Sequence, residues 1–291
     1  MRRLVISLAV VLLGCPSTSS TGDQSEAAEP EIREYVPPLP ETPAKPTSPA
    51  DEVGVLALLA PVPVAQHPES PNGSIELRYQ ITGPGGLTGE LVVIQKAGGW
   101  RSERWTMTGG EGQLAVAGQT IATPRKLWTA TGDQPGEITS VQLGALADAW
   151  LALTPARRDL ALEHLRAWRN DLAKSRLEQP GESETIQGIR CIKMRIAAQN
   201  LCMWEEAGLL MRYEGAAFEL LVTAVTLNPT IPADAFELPK RAEAAKVIES
   251  EAVDAKALIE GLADGKVGPV AALLGSGARM PVLAKSEPEP G

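Results

Sequence analysis

From Ser74 to Ile81 the chain alternates strictly, with Ile75, Leu77, Tyr79 and Ile81 on one side and Glu76, Arg78 and Gln80 on the other. Period-two alternation marks a strand with one buried face. Gly83-Pro-Gly-Gly86 predicts a turn, and Gly89–Lys96 a returning strand whose centre, Leu91 to Ile94, is apolar on both sides. Gly98-Gly99 is a second turn, Trp100–Thr108 a third strand, and Gly109 to Gly112 a further turn. Leu114–Ala117 and Thr120–Ala130 complete an antiparallel meander punctuated by glycine turns. At Leu143 the period changes to helical. Leu143–Leu153 reads as a short helix, and Thr154-Pro155 restarts the chain, with Thr154 placed to cap and Pro155 at the first helical position. Over 155 to about 177, Ala161, Leu165, Trp168 and Leu172 form one apolar stripe. Strands resume at Glu184–Ala197, Leu201–Glu205, Leu209–Glu214 and Phe218–Leu227. A helix is expected from about Lys240 to Leu262, with Val247, Ile248, Ala255, Leu258, Ile259 and Leu262 inward and Gly265 as its stop. An apolar piece, Val270–Leu274, and a polar tail over 281–291, expected to be disordered, close the chain.

The amino terminus follows another logic. Arg2 and Arg3 precede an unbroken apolar run from Leu4 to Leu13, the layout of a secretory signal peptide. The run is shorter than the ~20 residues that span a bilayer. The ending Leu12-Leu13-Gly14-Cys15 resembles the lipobox of bacterial lipoproteins. That resemblance implies a signal peptide over 1–14, cleavage after Gly14, diacylglycerol on the Cys15 thiol and acylation (palmitate or a similar chain) of the new amino terminus. Acyl chains contribute about 0.8 kcal/mol per buried CH₂, so two or three would hold the protein on a membrane almost irreversibly. Pro16 stands where many inner-membrane lipoproteins carry aspartate, which tilts the expected address to the outer membrane, facing the periplasm.

Residues 15–71 read as the lipidated cysteine followed by a flexible tether rich in Ser, Thr, Glu and Pro, in which too little apolar surface is available to offset chain entropy. Its prolines favour an extended spacer at ~3.1 Å per residue. Within it, 53–65 is apolar but interrupted by Pro61 and Pro63, and the pattern leaves open an added strand or a segment lying on the domain. Residues 72–280 are long enough for one domain with a real core. The formal charge of −9 becomes −11 without Arg2 and Arg3, and aromatic content is 4%. An acidic chain with few aromatics and no basic stripe lacks the electrostatic footprint of a nucleic-acid binder.

With Cys15 assigned to lipid, Cys191 and Cys202 remain on consecutive predicted strands, and an exported even pair is expected to be a disulfide. Direct opposition in a hairpin needs a turn centred between Ile196 and Ala197. The better turn residues, Gln199 and Asn200, come later, so the pairing calls for a bulge. The pair lacks Cys-x-x-Cys spacing and a nearby histidine, which argues against a redox or zinc role; no metal and no cofactor are expected.

The carboxy-terminal strands carry a second resemblance. Ser183 to Cys191, Leu201-Cys-Met-Trp204, Gly208 to Tyr213, Val222 to Pro229, and Ile231 to Pro239 with its Phe-Glu-Leu-Pro ending are similar, in this order, to the second half of the bacterial outer-membrane lipoprotein carrier and receptor superfamily. The likeness is stronger still to uncharacterised lipoproteins of the same fold. It covers residues 183–239. It implies an α+β fold, a curved antiparallel sheet forming an incomplete β-barrel with helices covering the concave face, and an apolar cavity for a lipid or acyl chain. Carriers are unanchored and the receptor has a short attachment, so the long spacer departs from both.

No catalytic constellation is legible. His67 lies in a proline-rich stretch and His164 on a helix flank beside Glu163, while the nucleophile elbow, the phosphate loop and the zinc-binding His-Glu-x-x-His helix are all missing. Glu205 and Glu206 are consecutive and would face opposite ways on a strand. An enzyme is therefore not expected. The tryptophans at 100, 105, 128, 150, 168 and 204 admit two readings, core packing or the lining of an apolar cavity. On the cavity reading, Leu165, Trp168 and Leu172 face the ligand. Two functions follow from the pattern: a lipid-anchored protein holding a lipid or acyl chain, or a scaffolding envelope lipoprotein with a filled core and a protein partner. The oligomeric state is not legible.

Overall fold

The computed structural model describes residues 48–61, 73–109, 115–178, 181–196, 198–204, 207–249, 253–275, 281 and 283. Cys15, the stretch expected to be a signal peptide, His67, the Glu205-Glu206 pair and most of the stretch expected to be a tether lie outside them.

The alternating segment is strand β1 (Ser74–Gly83), and its apolar side is buried as the pattern requires. It pairs antiparallel with β2 (Leu87–Lys96), reached through a tight turn in which Gly85 and Gly86 take φ +68° and +75°. Next come β3 (Trp100–Thr108), β4 (Val116–Ala122), β5 (Lys126–Thr131) and β6 (Glu137–Ser140). Where Thr120–Ala130 was expected to be one strand, Thr123 to Arg125 turn the chain: the Thr123 hydroxyl accepts the N–H groups of Arg125 and Lys126. After two helices, a second meander lays down β7 (Ser183–Ile186), β8 (Ile189–Ile196), β9 (Gln199–Trp204), β10 (Leu210–Glu214) and β11 (Glu219–Leu227). The single strand expected over 184–197 is a hairpin instead, because Gln187 and Gly188 both adopt positive φ (51° and 74°), the conformation of a two-residue hairpin turn. Strand β11 pairs with β1, so the two meanders become one open 12-stranded sheet, with β12 (Lys246–Ile248) and β7 at its edges. β12 joins β6 and is the sheet's parallel pairing.

Opposed residues share a face, and one row crosses eight strands: Met194, Leu201, Tyr213, Leu220, Ile81, Gly89, Met107 and Val116. The adjacent row places Tyr79 beside Leu91, Leu91 beside Trp105, and Trp105 opposite Gly118. A methyl group on Gly118 would fall inside the Trp105 indole. Gly118→Ala should therefore cost about 1–3 kcal/mol through overpacking, read as a drop in the thermal midpoint; an unchanged midpoint would exclude this packing. On the opposite face, Ile121, Trp128 and Ala130 are covered by Leu238, Ala242 and Ala245 of the segment running from β11 to β12. Arg241 stacks over Trp128, 5.2 Å from the ring centroid.

Among the described residues, the helices α1 (Glu52–Leu59), α2 (Leu143–Ala152), α3 (Pro155–Glu178), α4 (Ala255–Ala263) and α5 (Val267–Gly275) complete the α+β architecture. Their apolar side chains form a cluster of their own, distinct from that of the sheet. Within the stretch expected to be tether, 52–59 is helical instead and buries Val55, Leu56 and Leu59, because the Asp51 carboxylate caps it by accepting the Gly54 N–H at 2.6 Å and the helical layer takes up its apolar side chains. The helix expected from 240 is also corrected. Residues 240–244 form a 3₁₀ turn, and Val247 and Ile248 belong to β12, where β-branched side chains fit the ladder. The helix starts only at the Asp254 cap, whose carboxylate accepts the Ala257 N–H at 2.9 Å. Val270–Leu274 is the body of α5. Pro281 and Leu283, expected in the disordered tail, are buried, Leu283 within the sheet's apolar cluster, because the sheet offers an apolar side chain more burial than solvent does.

Side-chain ties fix helix to helix and helix to sheet. Arg125, in the β4–β5 turn, donates to Asp148 on α2 and Glu52 on α1, each at 2.8 Å. The hydrogen bond from Arg125 holds the Asp148 carboxyl below the ordinary aspartate range. Arg169 of α3 donates to the Leu58 and Leu59 carbonyls at the end of α1. Arg157 does the same for α4 through the Glu260 carbonyl and Asp264. His164 Nδ1 sits 2.9 Å from the Leu262 carbonyl, a further tie between α3 and α4.

Candidate functional site

The face of the sheet that carries the eight-strand row holds the most distinctive chemistry of the described residues. Its centre is apolar and closed to solvent: Ile75, Leu77, Tyr79, Ile81, Leu91 and Val93 are all buried. At the end of the sheet away from the α1 contact the same face opens. There Met194 (42% exposed) and Ile196 (51%) end β8, and Val116 (41%) begins β4. The buried Leu201, Tyr213, Leu220 and Ile81 lie in the row between those two edges.

Toward the other end, where Gly98 donates its N–H to the Ala60 carbonyl after α1, the face turns polar. Gln95 opposes Arg101, and Val93 opposes Glu103, which opposes Thr120. Arg101 Nε and Glu103 Oε1 form an ion pair at 2.5 Å, with side chains 8% and 0% exposed. The hydroxyl of Thr120 is buried with no hydrogen-bond partner among the described residues. Nearby, the Tyr79 hydroxyl donates to the Leu210 carbonyl at 2.9 Å. Burial pushes that phenol well above its ordinary range; Arg101 opposes the shift and Glu103 adds to it. A buried ion pair beside an apolar face is costly unless fully hydrogen-bonded, and functional sites concentrate such groups. Sequence reasoning missed this pair, although Arg101 and Glu103 share the parity of Trp105 and Met107 on an otherwise apolar strand face.

Cys191 and Cys202 are joined in a disulfide, with Cα atoms 5.4 Å apart. The hairpin register pairs Ile196 with Gln199 and Lys193 with Cys202. The turn is thus centred one residue later than direct opposition needs, and the cysteines bond diagonally, with no bulge between β8 and β9. Replacing both by serine should cost about 2–3 kcal/mol for a loop this short, roughly 5–10 °C in thermal midpoint. Equal midpoints with and without reductant in the native protein would count against it.

Over the disulfide, on the face opposite the apolar row, lies a cleft of about 430 Å³ lined by Glu184, Lys193, Asn200, Arg212 and Glu214. Glu184 pairs with Arg212 (2.8 Å) and Lys193 (3.5 Å), and Asn200 donates to Glu214 (3.1 Å). Glu184 and the two sulfurs lie within 4.8 Å of one another. Both sulfurs are spent in the disulfide and the carboxylate is held by two cations, so the trio is no metal-ligand set.

Of the side chains expected to line a cavity, Leu165 and Trp168 pack in the helical cluster with Ile259 and Leu262, and Leu172 is half-buried on the same helix. None of the three joins the eight-strand row. Trp128 and Trp150 are fully buried, one behind the sheet and one among the helices, whereas Trp105 lies on the apolar face itself.

No family model matches the chain, and no curated protein matches it.

Proposed function

We propose that this chain is a lipid-anchored envelope protein that holds a lipid or acyl chain against the apolar face of its sheet. The observation that carries the reading is the row from Met194 to Val116, apolar apart from its glycine and buried at its centre but open at both edges. An apolar face with a few polar groups is the composition of a lipid site, and the Arg101–Glu103 pair supplies the polar end. Curvature into an incomplete barrel is supported by Gly89 and Gly118, where neighbouring atoms approach too closely for any side chain; glycine kinks are how sheets bend toward closure. In this reading Cys15 carries the anchor at the outer membrane, facing the periplasm. The helices act more as a buttress at one end of the sheet than as a lid, since their apolar stripe packs on itself.

That same self-packing favours the alternative, a scaffolding lipoprotein with a filled core and a protein partner. Mass spectrometry of lipids extracted from the purified full chain separates the two. The ligand reading expects a stoichiometric copurifying lipid beyond the covalent acyl groups. Extracts lipid-free in every preparation would leave the scaffold.

A further inference from the structure

The open end of the apolar face has a feature that ligand holding alone does not require. Along β8 the residues alternate in kind: Lys193 and Arg195 on one face, Met194 and Ile196 on the other, all exposed. Val116 is exposed on the same face as Met194, with six strands between them in the sheet order, at the same end of the sheet. Three large apolar side chains thus ring one rim, with two cations beside two of them. We propose that this rim docks on an anionic lipid bilayer, Met194, Ile196 and Val116 entering the interface while Lys193 and Arg195 meet the headgroups. The inference rests on the lipid-handling reading and adds to it a source and an entry point: an acyl chain passes from the bilayer over the rim onto the buried row.

Two further observations favour a membrane over other occupants. The 32 residues between Cys15 and Ser48 link the domain to the expected lipid site, and a spacer of this length at ~3.1 Å per residue lets any face of the domain reach the membrane it is tied to. Tethering also raises the local concentration into the range where a small patch suffices, because the second contact becomes intramolecular. Amphipathic strands with cations beside apolar tips match the headgroup–acyl boundary. Pairing with Glu184 leaves the Lys193 ammonium, which has three donors, able to meet a headgroup as well. Glu184 is shared between Lys193 and Arg212, and Glu214 between Arg212 and Asn200.

The test uses the full chain reconstituted on vesicles of phosphatidylcholine, alone or mixed with phosphatidylglycerol, with a trace of phosphatidylcholine carrying a diazirine on its acyl chain. Photolabelled peptides are mapped by mass spectrometry. Label is expected at 194–196 and at Val116, at least fivefold stronger with phosphatidylglycerol, since ~1 kcal/mol per cation near an anionic surface is about fivefold. The double variant Met194→Ser/Ile196→Ser should lose it while retaining the Cys191–Cys202 linkage, which reports an intact hairpin. Label absent from this rim on a vesicle-bound chain, or equal on the two compositions, overturns the proposal. So does a dimer in solution that the double variant abolishes. Label confined to the rim with no lipid copurifying leaves docking in place and removes the ligand reading; copurifying lipid without rim label does the reverse.

Discussion

Leu165→Glu should collapse the helical layer rather than merely weaken ligand loading. Leu165 is fully buried among Leu146, Trp150, Ile259 and Leu262. The side chains clustered with it are apolar, and the cation one turn along the helix, Arg169, is already engaged by the Leu58 and Leu59 carbonyls. Burying an unpaired charge, or neutralising it at the expense of a raised pKa, costs several kcal/mol. Against a total of 5–15 kcal/mol for a typical domain, that is enough to unfold much of the population at ambient temperature. Truncation without charge, Leu165→Ala, should cost about 2–5 kcal/mol through the cavity it leaves. Circular dichroism melts of both variants, beside the wild type, give the comparison. If Leu165→Glu melts like wild type, the side chain faces open space, and the cavity-lining role expected from sequence is restored.

Arg101→Met should be the other severe single substitution. It leaves Glu103 buried within the sheet without the guanidinium 2.5 Å away. Removing one partner of a buried ion pair typically costs 3–5 kcal/mol, while replacing both by apolar residues of similar size is often neutral or stabilising. The double variant Arg101→Met/Glu103→Leu should therefore recover most of the stability lost in the single one. Urea titrations of the wild type, Arg101→Met, Glu103→Leu and the double variant measure this. The pairing argument fails if the double variant is less stable than Arg101→Met. If the polar end of the face serves a ligand, the recovered double variant should fold well yet copurify less lipid, a separation of stability from function that a purely structural pair would not produce.

Local pattern carried far in this chain. The alternation of Ile75 to Ile81 yielded β1 and its buried face, Trp100–Thr108 and the glycine turns before it gave β3, and Thr154-Pro155 marked the start of α3. The export reasoning paired Cys191 with Cys202, which bond in the structure. In each case the cause is local. A period of two or 3.6, a capping residue or a two-residue turn acts within about ten residues, so the sequence states it directly.

What depended on distant partners was not legible. Segment 52–59 is apolar with no helical periodicity, and only a helical layer ready to receive Val55, Leu56 and Leu59 makes it α1. Val247 and Ile248 fit a helix stripe by spacing and a strand by side-chain type; the free edge of β6 decided for β12. The stripe on α3 was read correctly as apolar, but its partner, other helices instead of the sheet, was a matter of tertiary packing. The candidate site shows the same division. Arg101, Glu103 and Met194 each look ordinary on their own strands. The pairing of β11 with β1, joining two meanders separated by two helices, sets them on one face and makes an apolar row with a polar end and an open rim. Sequence alone determined which residues could share a face within a strand; the non-local strand order decided which strands share that face, because no local periodicity encodes a contact across more than a hundred residues of chain.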